Sequence, residues 1–311
     1  MRDRILKEAL RLKAVERKRA EEEKAAAREA VLALPDVAAA RRKYVGAFYA
    51  TARSRSREAT ELAETLREEY VSALARHGYS EEDFEPDGAC PHCNDTGIVD
   101  GSPCKCVRDV FVRLLEKECG ISATGYGLDD FDATRLPATR QSELLGSVYS
   151  LMRSYVGKFP AIGKNIVLLT GATGTGKTML AEAMARQMIR RGYAALFLSA
   201  TELNKLMVKA HTSRYPECDS VLDDVLSADM LVIDDLGTEP RYRNVTCEYL
   251  LTILEERTRR KLSTVITTNL SVERILNTYN ERIFSRLGDR RTALVLDFEG
   301  EDLRAFSPEN R

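Results

Sequence analysis

An α/β fold on a mainly parallel sheet is the first expectation, and three stretches carry it. Asn165-Ile-Val-Leu-Leu-Thr170 is an unbroken apolar run of β type, Gly171-Ala-Thr-Gly-Thr-Gly176-Lys177-Thr178 follows it, and an Ala-rich helical run from Met179 to Ile189 comes next. A strand buried on both faces reads as continuous hydrophobics rather than alternation. Met230-Leu-Val-Ile-Asp234-Asp235-Leu-Gly237 is a second such strand, ending in two carboxylates. Ser263-Thr-Val-Ile-Thr-Thr268-Asn269 is a third, rich in β-branched residues.

Strand, glycine loop and helix in that order form a phosphate-binding loop. The glycines let the backbone curl so that successive N–H groups point inward, and the following helix adds the positive end of its dipole. On this reading Gly171, Ala172, Thr173, Gly174, Thr175, Gly176, Lys177, Thr178 and Met179 surround a nucleotide's phosphates. Lys177 reaches the β- and γ-phosphates, and the Thr178 hydroxyl holds Mg2+. A glycine-rich turn matching by chance is the alternative, and the flanking strand and helix weigh against it.

Ligands in open α/β sheets collect at the carboxyl ends of strands. Asp234 is therefore expected in the Mg2+ shell, with Asp235 orienting the water that attacks the γ-phosphate. Alone, two aspartates after a strand are as readily a turn or helix-cap signal; beside a phosphate loop they read as catalytic. Asn269 ends the third strand with an amide that can meet both γ-phosphate and water. Glu281-Arg282-Ile-Phe-Ser285-Arg286-Leu287 reads as a helix whose Arg286 can point out as an arginine finger, a group commonly supplied in trans. Taken singly, Asn269 and Arg286 read as a surface amide and a solvated arginine.

Together, Leu231-Val-Ile-Asp-Asp-Leu-Gly-Thr-Glu-Pro240, Ile266-Thr-Thr-Asn-Leu270, Glu281-Arg-Ile-Phe-Ser-Arg286 and Gly300-Glu-Asp-Leu-Arg304 resemble the AAA+ module of DnaC/DnaI-type helicase loaders, over residues 123 to 311. The resemblance implies an AAA+ P-loop NTPase with a five-stranded, mainly parallel sheet. It also implies ATP and Mg2+ as ligands, hydrolysis of ATP, and homo-oligomers joined through AAA+ interfaces. Asn269 then takes the sensor 1 position, Arg286 the finger and Arg304 sensor 2. Asp235 departs from the glutamate commonest in AAA+ proteins, although aspartate also occurs in the loader group. The same module is similar to that of IstB-like transposition helper ATPases.

The first eighty or so residues are rich in Ala, Arg, Glu and Lys and are broken by Pro35, which predicts two helices, Asp3 to Leu34 and Asp36 to His77. Tyr44, Val45, Phe48, Tyr49 and Ala52 share one helical stripe. Arg41, Arg42, Lys43, Arg53, Arg55 and Arg57 form a basic band, in most cases a solvated face. Then come Cys90-Pro-His-Cys93 and Cys104-Lys-Cys106. Two close cysteine pairs suit a tetrahedral Zn2+ site that holds together a segment too small for its own core. Disulfides are the alternative, which a reducing cytosol opposes. His92 is read as a bystander, and Cys119, Cys218 and Cys247 as ordinary thiols. DnaI-type loaders resemble this arrangement, with a cysteine-bound metal in a partner-binding N-terminal region.

Net charge is only −1, so a nucleic-acid surface has to be local. Arg241-Tyr242-Arg243 has the basic and aromatic composition for single-stranded DNA and lies where the loaders present a DNA-facing loop; Arg257, Arg259, Arg260 and Lys261 are a second basic cluster. No apolar run approaches the length of a membrane span, and the N-terminus mixes Arg with Asp3, Glu8 and Glu16, so a cytoplasmic protein is expected. The expected organisation is a helical partner-binding arm (1–85), a zinc knuckle with linker (86–122) and an AAA+ ATPase (123–311). The expected function is loading a hexameric replicative helicase onto single-stranded DNA. A transposition helper, or a nucleotide-gated scaffold without significant hydrolysis, is the alternative.

Overall fold

The computed structural model describes residues 1–54, 56–84, 90–100, 102–132, 139–212 and 219–303. In chain order the elements are α1 (Arg2–Leu32), α2 (Pro35–Ser54), α3 (Arg57–Arg76), β1 (Ile98–Val99), β2 (Ser102–Pro103), α4 (Lys105–Cys119), α5 (Arg140–Lys158), β3 (Ile166–Gly171), α6 (Lys177–Arg190), β4 (Ala195–Ser199), α7 (Ala200–Thr212), α8 (Asp219–Ser227), β5 (Met230–Asp234), α9 (Thr246–Arg259), β6 (Ser263–Thr267), α10 (Val272–Thr278), α11 (Glu281–Gly288) and β7 (Ala293–Phe298). Two compact units divide the chain: Met1–Ala9 with Arg108–Arg311, and Leu10–Val107.

The larger unit holds a five-stranded sheet in the order β4-β5-β6-β3-β7, with every pairing parallel. The three apolar runs of the sequence form its inner strands, and β6 is buried along its whole length. This is an α/β fold on a parallel five-stranded sheet, with the phosphate-loop strand inside it. Its strand order matters chemically, because β6 lies between the phosphate-loop strand β3 and the carboxylate strand β5. The residues that end β6 are thereby held between the two halves of the site.

The unit also takes in 108–122, which the sequence placed with the knuckle and linker, and two other parts escaped the sequence reading. Met1–Ala9 belongs to it, whereas the sequence grouped these residues with the helical arm. The Met1 ammonium donates to Ser227 Oγ (3.1 Å), Arg2 donates to the Gly192 carbonyl and lies over the Tyr193 ring, and Ile5 and Ala9 are buried. Arg257, read as part of a basic surface cluster, is fully buried. Its guanidinium donates to Thr264 Oγ1, the Val225 and Ala228 carbonyls and the Ser263 carbonyl, tying the end of α9 to α8 and the start of β6. Burial lowers its pKa to about 9, so it remains a cation at neutral pH. Arg259 and Arg260 both pair with Glu256.

In the smaller unit, α2 and α3 pack around Val31, Val37, Tyr70, Ala73 and Leu74. The expected second helix is two helices, because Ser56 takes an extended conformation and caps α3 by accepting the Ala59 N–H (3.2 Å). The aromatic stripe also divides. Tyr44 stacks on Tyr70 (ring centroids 6.0 Å apart) and is half-buried, whereas Phe48 and Tyr49 are 54% and 64% exposed, as is Leu62 on α3 at 56%. Among the described residues no helix is long and apolar enough to cross a membrane.

Candidate functional site

The phosphate loop turns on three glycines with positive φ: Gly171 (131°), Gly174 (81°) and Gly176 (96°). At Gly171 the requirement is also steric, since an added Cβ would lie 2.1 Å from the Phe298 carbonyl oxygen. Gly176 caps α6, whose first residue is the buried Lys177. The Lys177 ammonium donates to the carbonyls of Gly171 (2.8 Å) and Ala172 (2.6 Å) and to Asn269 Oδ1 (3.0 Å). The loop is therefore cross-braced by the cation predicted to meet phosphate. Ala172, Thr173, Thr178 and Met179 are exposed, and Thr175 is buried with its hydroxyl on the Ala172 carbonyl.

The predicted carboxylates come together with this loop. Thr178 Oγ1 donates to Asp234 Oδ1 at 2.9 Å. Neighbouring ligands of an octahedral cation with bonds of ~2.1 Å lie about 3 Å apart, so this hydroxyl and carboxylate fit Mg2+. Asn269, ending β6, bridges the two halves: its Oδ1 accepts from Lys177, and its Nδ2 donates to Asp235 Oδ1 (3.3 Å). Thr267 was read only as a strand residue, yet its hydroxyl donates to Asp234 Oδ1 (2.7 Å) and accepts the Asp235 N–H (2.9 Å). That contact fixes a backbone with positive φ at Asp235 (55°), an uncommon conformation outside glycine. The signal available in sequence was the Thr-Thr-Asn run at the strand end.

The four predicted cysteines form a second cluster. Cys90 and Cys104 sulfurs are 3.7 Å apart, as are those of Cys93 and Cys106, and all four lie within 4.8 Å of one another. Four sulfurs at ~2.3 Å from one ion stand about 3.8 Å apart, so the set is compatible with zinc. The β1–β2 hairpin separates the two pairs, and Gly97 (φ 75°) closes against Val107 and Leu10. Backbone N–H groups of His92 and Cys93 pull the Cys90 thiol down to about 6, and burial pushes Cys106 up to about 12. His92 is exposed and outside the group. Cys119 is buried and its thiol is pushed up to about 11 by burial, Cys247 is half-buried, and Cys218 lies outside the described residues.

Residues 154–304 match the family model of IstB-like ATP binding proteins. That stretch of the chain is thus similar to IstB-like ATP-binding proteins. Replicative helicase loader DnaC of Escherichia coli (strain K12) is 29% identical over 142 residues, 44% of this chain and 56% of DnaC. A protein described as an ATP-binding protein of insertion sequence IS1162, from Pseudomonas fluorescens, is 34% identical over 162 residues, 52% of this chain and 65% of that protein. Replicative helicase loader DnaI of Bacillus subtilis (strain 168) is 26% identical over 166 residues, 52% of this chain and 49% of DnaI. The matches thus span about half to two thirds of each relative. A crystal structure of the DnaC helicase loader is similar with a TM-score of 0.46 and 23% identity, over 56% of this chain and 98% of that one. AMPPCP-bound DnaA from Aquifex aeolicus is similar with a TM-score of 0.45 and 20% identity, over 58% and 52%.

The segment before Arg304 crosses the phosphate loop: the Leu303 N–H donates to the Gly174 carbonyl (2.9 Å), and Gln141 bonds the Glu301 backbone twice. Arg304 itself lies outside the described residues. In the loop after Asp235, Tyr242 is 50% exposed and Arg243 is exposed, while Arg241 donates to the Thr278 carbonyl (2.6 Å). Arg286 is exposed on α11 and pairs with Glu255 of α9 at 2.9 Å. Its described ion pair is thus to Glu255 and not to its own chain's Lys177–Asn269–Asp235 network.

Proposed function

We propose that this protein is a cytoplasmic, ATP-hydrolysing loader that grips a hexameric replicative helicase and delivers it to single-stranded DNA. The observation that carries this reading is the pairing of a loader-like ATPase domain with the unit Leu10–Val107, which exposes Phe48, Tyr49 and Leu62 and contains the four-cysteine cluster. A surface apolar stripe on a helix suits docking into a partner's groove. ATP is bound by the loop N–H groups, the α6 N-terminus and Lys177, with Thr178 and Asp234 as the Mg2+ holders. Bound Mg2+ neutralises developing phosphate charge. Asp235 orients the water, and Asn269 links that carboxylate to Lys177. Arg286 serves the neighbouring subunit's site. Its surroundings favour a protein contact, because Val272, Leu276 and Val295 line an open groove of about 1150 Å³ with Arg290 and Arg291. Hydrolysis then separates the subunits and frees the helicase.

The expected result in the full-length protein is that Phe48→Ala with Tyr49→Ala abolishes capture of a purified replicative helicase and leaves ATP turnover unchanged. The two functions occupy separate compact units, so the surface change is not transmitted to the phosphate loop. Helicase capture undiminished in this variant would overturn the assignment of the surface. The IS1162 relative favours a second reading, a transposition helper. Capture of a transposase and not the helicase by the wild-type chain would put that reading in its place.

Contact with the DNA strand is assigned to Tyr242 and its arginine neighbours. Tyr242→Ala should weaken single-stranded DNA binding by ~1–3 kcal/mol, the contribution of one stacked base. Affinity should also fall steeply with salt if Arg243 meets phosphate. An unchanged dissociation constant would return the loop to ordinary surface.

A further inference from the structure

Glu239 is a buried carboxylate in the loop after Asp235, 7% exposed, and it makes two hydrogen bonds. Its Oε2 accepts the Gly237 N–H (2.8 Å), and its Oε1 accepts the hydroxyl of the equally buried Tyr279 (2.5 Å). Burial, reinforced by the carboxylate, raises the Tyr279 pKa, so the hydroxyl stays a donor at any working pH. Hydrogen bonds to a charged acceptor are short, and in a low-dielectric interior they resist displacement.

Each end of this pair is fixed to a different part of the ATPase. On one side, the turn from Asp235 to Gly237 (φ 55° and 109°) is held by the Leu236 N–H on the Thr267 carbonyl and by Thr268 Oγ1 on the Leu236 carbonyl. On the other, Tyr279 closes α10 through its N–H on the Ile275 carbonyl, and the next residue, Asn280, caps α11 by accepting the Ile283 N–H (2.9 Å). Arg286 projects from that eight-residue helix, whose Ile283 and Leu287 are buried. The contact of Arg241 with the Thr278 carbonyl is a second tie between the same two segments.

We propose that Glu239 and Tyr279 are positioning residues, a buried strut that couples the turn carrying Asp235 to the helix carrying Arg286. Through it, the state of a subunit's own nucleotide site sets the placement of its finger in the neighbour's site. The inference rests on the reading of Arg286 as a finger acting in trans.

The test uses full-length Tyr279→Phe, which removes only the hydroxyl, with Arg286→Ala as control, at saturating ATP and single-stranded DNA. Tyr279→Phe should bind ATP with an unchanged dissociation constant and melt near the wild-type temperature, while kcat falls roughly ten- to a hundredfold, the cost of a misplaced reacting group. Adding Asp235→Asn chains, which bind ATP without turning it over and so lend a correctly placed finger, should restore turnover; adding Arg286→Ala chains should not. Glu239→Gln, which keeps an acceptor of the same shape, should retain more turnover than Glu239→Leu. Wild-type kcat in Tyr279→Phe with Arg286→Ala impaired overturns the strut and leaves the finger standing. Wild-type kcat in Arg286→Ala overturns the finger reading itself. Loss of ATP binding in Tyr279→Phe reduces the pair to fold stability and overturns the coupling.

Discussion

Lys177→Ala is expected to weaken ATP binding by about a hundredfold or more, while Asp235→Asn leaves affinity nearly intact and lowers turnover by ~10²–10³. The split follows from position. Lys177 is buried at the start of α6, and its ammonium already braces the Gly171 and Ala172 carbonyls. Its removal takes away both the phosphate's cation and the brace of the loop. A charge-assisted hydrogen bond of this kind contributes ~1.5–3 kcal/mol, and ~3 kcal/mol is about a hundredfold in affinity. The Asp235 carboxylate instead meets the Asn269 amide at the edge of the site. Asparagine keeps that contact and loses only the negative charge that polarises water. An interaction made in the transition state alone shows in kcat and not in binding. Nucleotide titration and steady-state hydrolysis on the two variants check this, and equal loss of affinity in both sinks the division of roles. Hydrolysis undetectable in the wild-type chain, with DNA present, would favour a nucleotide-gated scaffold.

What was legible in the sequence was what is contiguous in it. The loop from Gly171 to Thr178 and the run from Met230 to Asp235 each carry their chemistry within one strand and one turn, so periodicity and residue type disclosed them. Contacts between distant segments were not legible. Thr267 meets Asp234 from 33 positions away, and Glu239 meets Tyr279 from 40. No local pattern marks Glu239 and Tyr279 as a pair, and the Thr-Thr-Asn run that ends β6 marks Thr267 without naming its partner. Arg257 is different, because its position was recoverable. Leu250, Ile253, Leu254 and Arg257 follow the i, i+3, i+4, i+7 spacing of one helix face, and the first three are core residues. Charge composition suggested a basic surface cluster, and helical phase decided against it. Phase also speaks for Ile5 and Ala9, apolar positions one turn apart in a charged helix, which bury in the larger unit. The break between α2 and α3 lacks proline or glycine; its signal is Ser56 followed by Glu58 in the first turn.

Removing zinc should unfold the cysteine knuckle and spare the larger unit. Protein purified under reducing conditions without chelator should contain one zinc per chain, lost in Cys93→Ala. The domain around the five-stranded sheet has its own hydrophobic core, whereas the segment from Cys90 to Cys106 has a two-residue hairpin and a cluster made of the cysteines themselves. In such a segment the metal-binding free energy is folding free energy, ~10–16 kcal/mol for structural zinc in small peptides near neutral pH. Chelation should therefore give a transition of the smaller unit while ATP binding persists. The pH dependence has a definite sign. Binding takes four thiolates and releases the protons they held, so affinity falls as pH falls. Backbone N–H groups hold the Cys90 thiol low and burial holds Cys106 high, so binding must displace the proton of the latter. Elemental analysis finding no zinc, or mass spectrometry finding two disulfides in protein kept reduced, would remove the metal from the account.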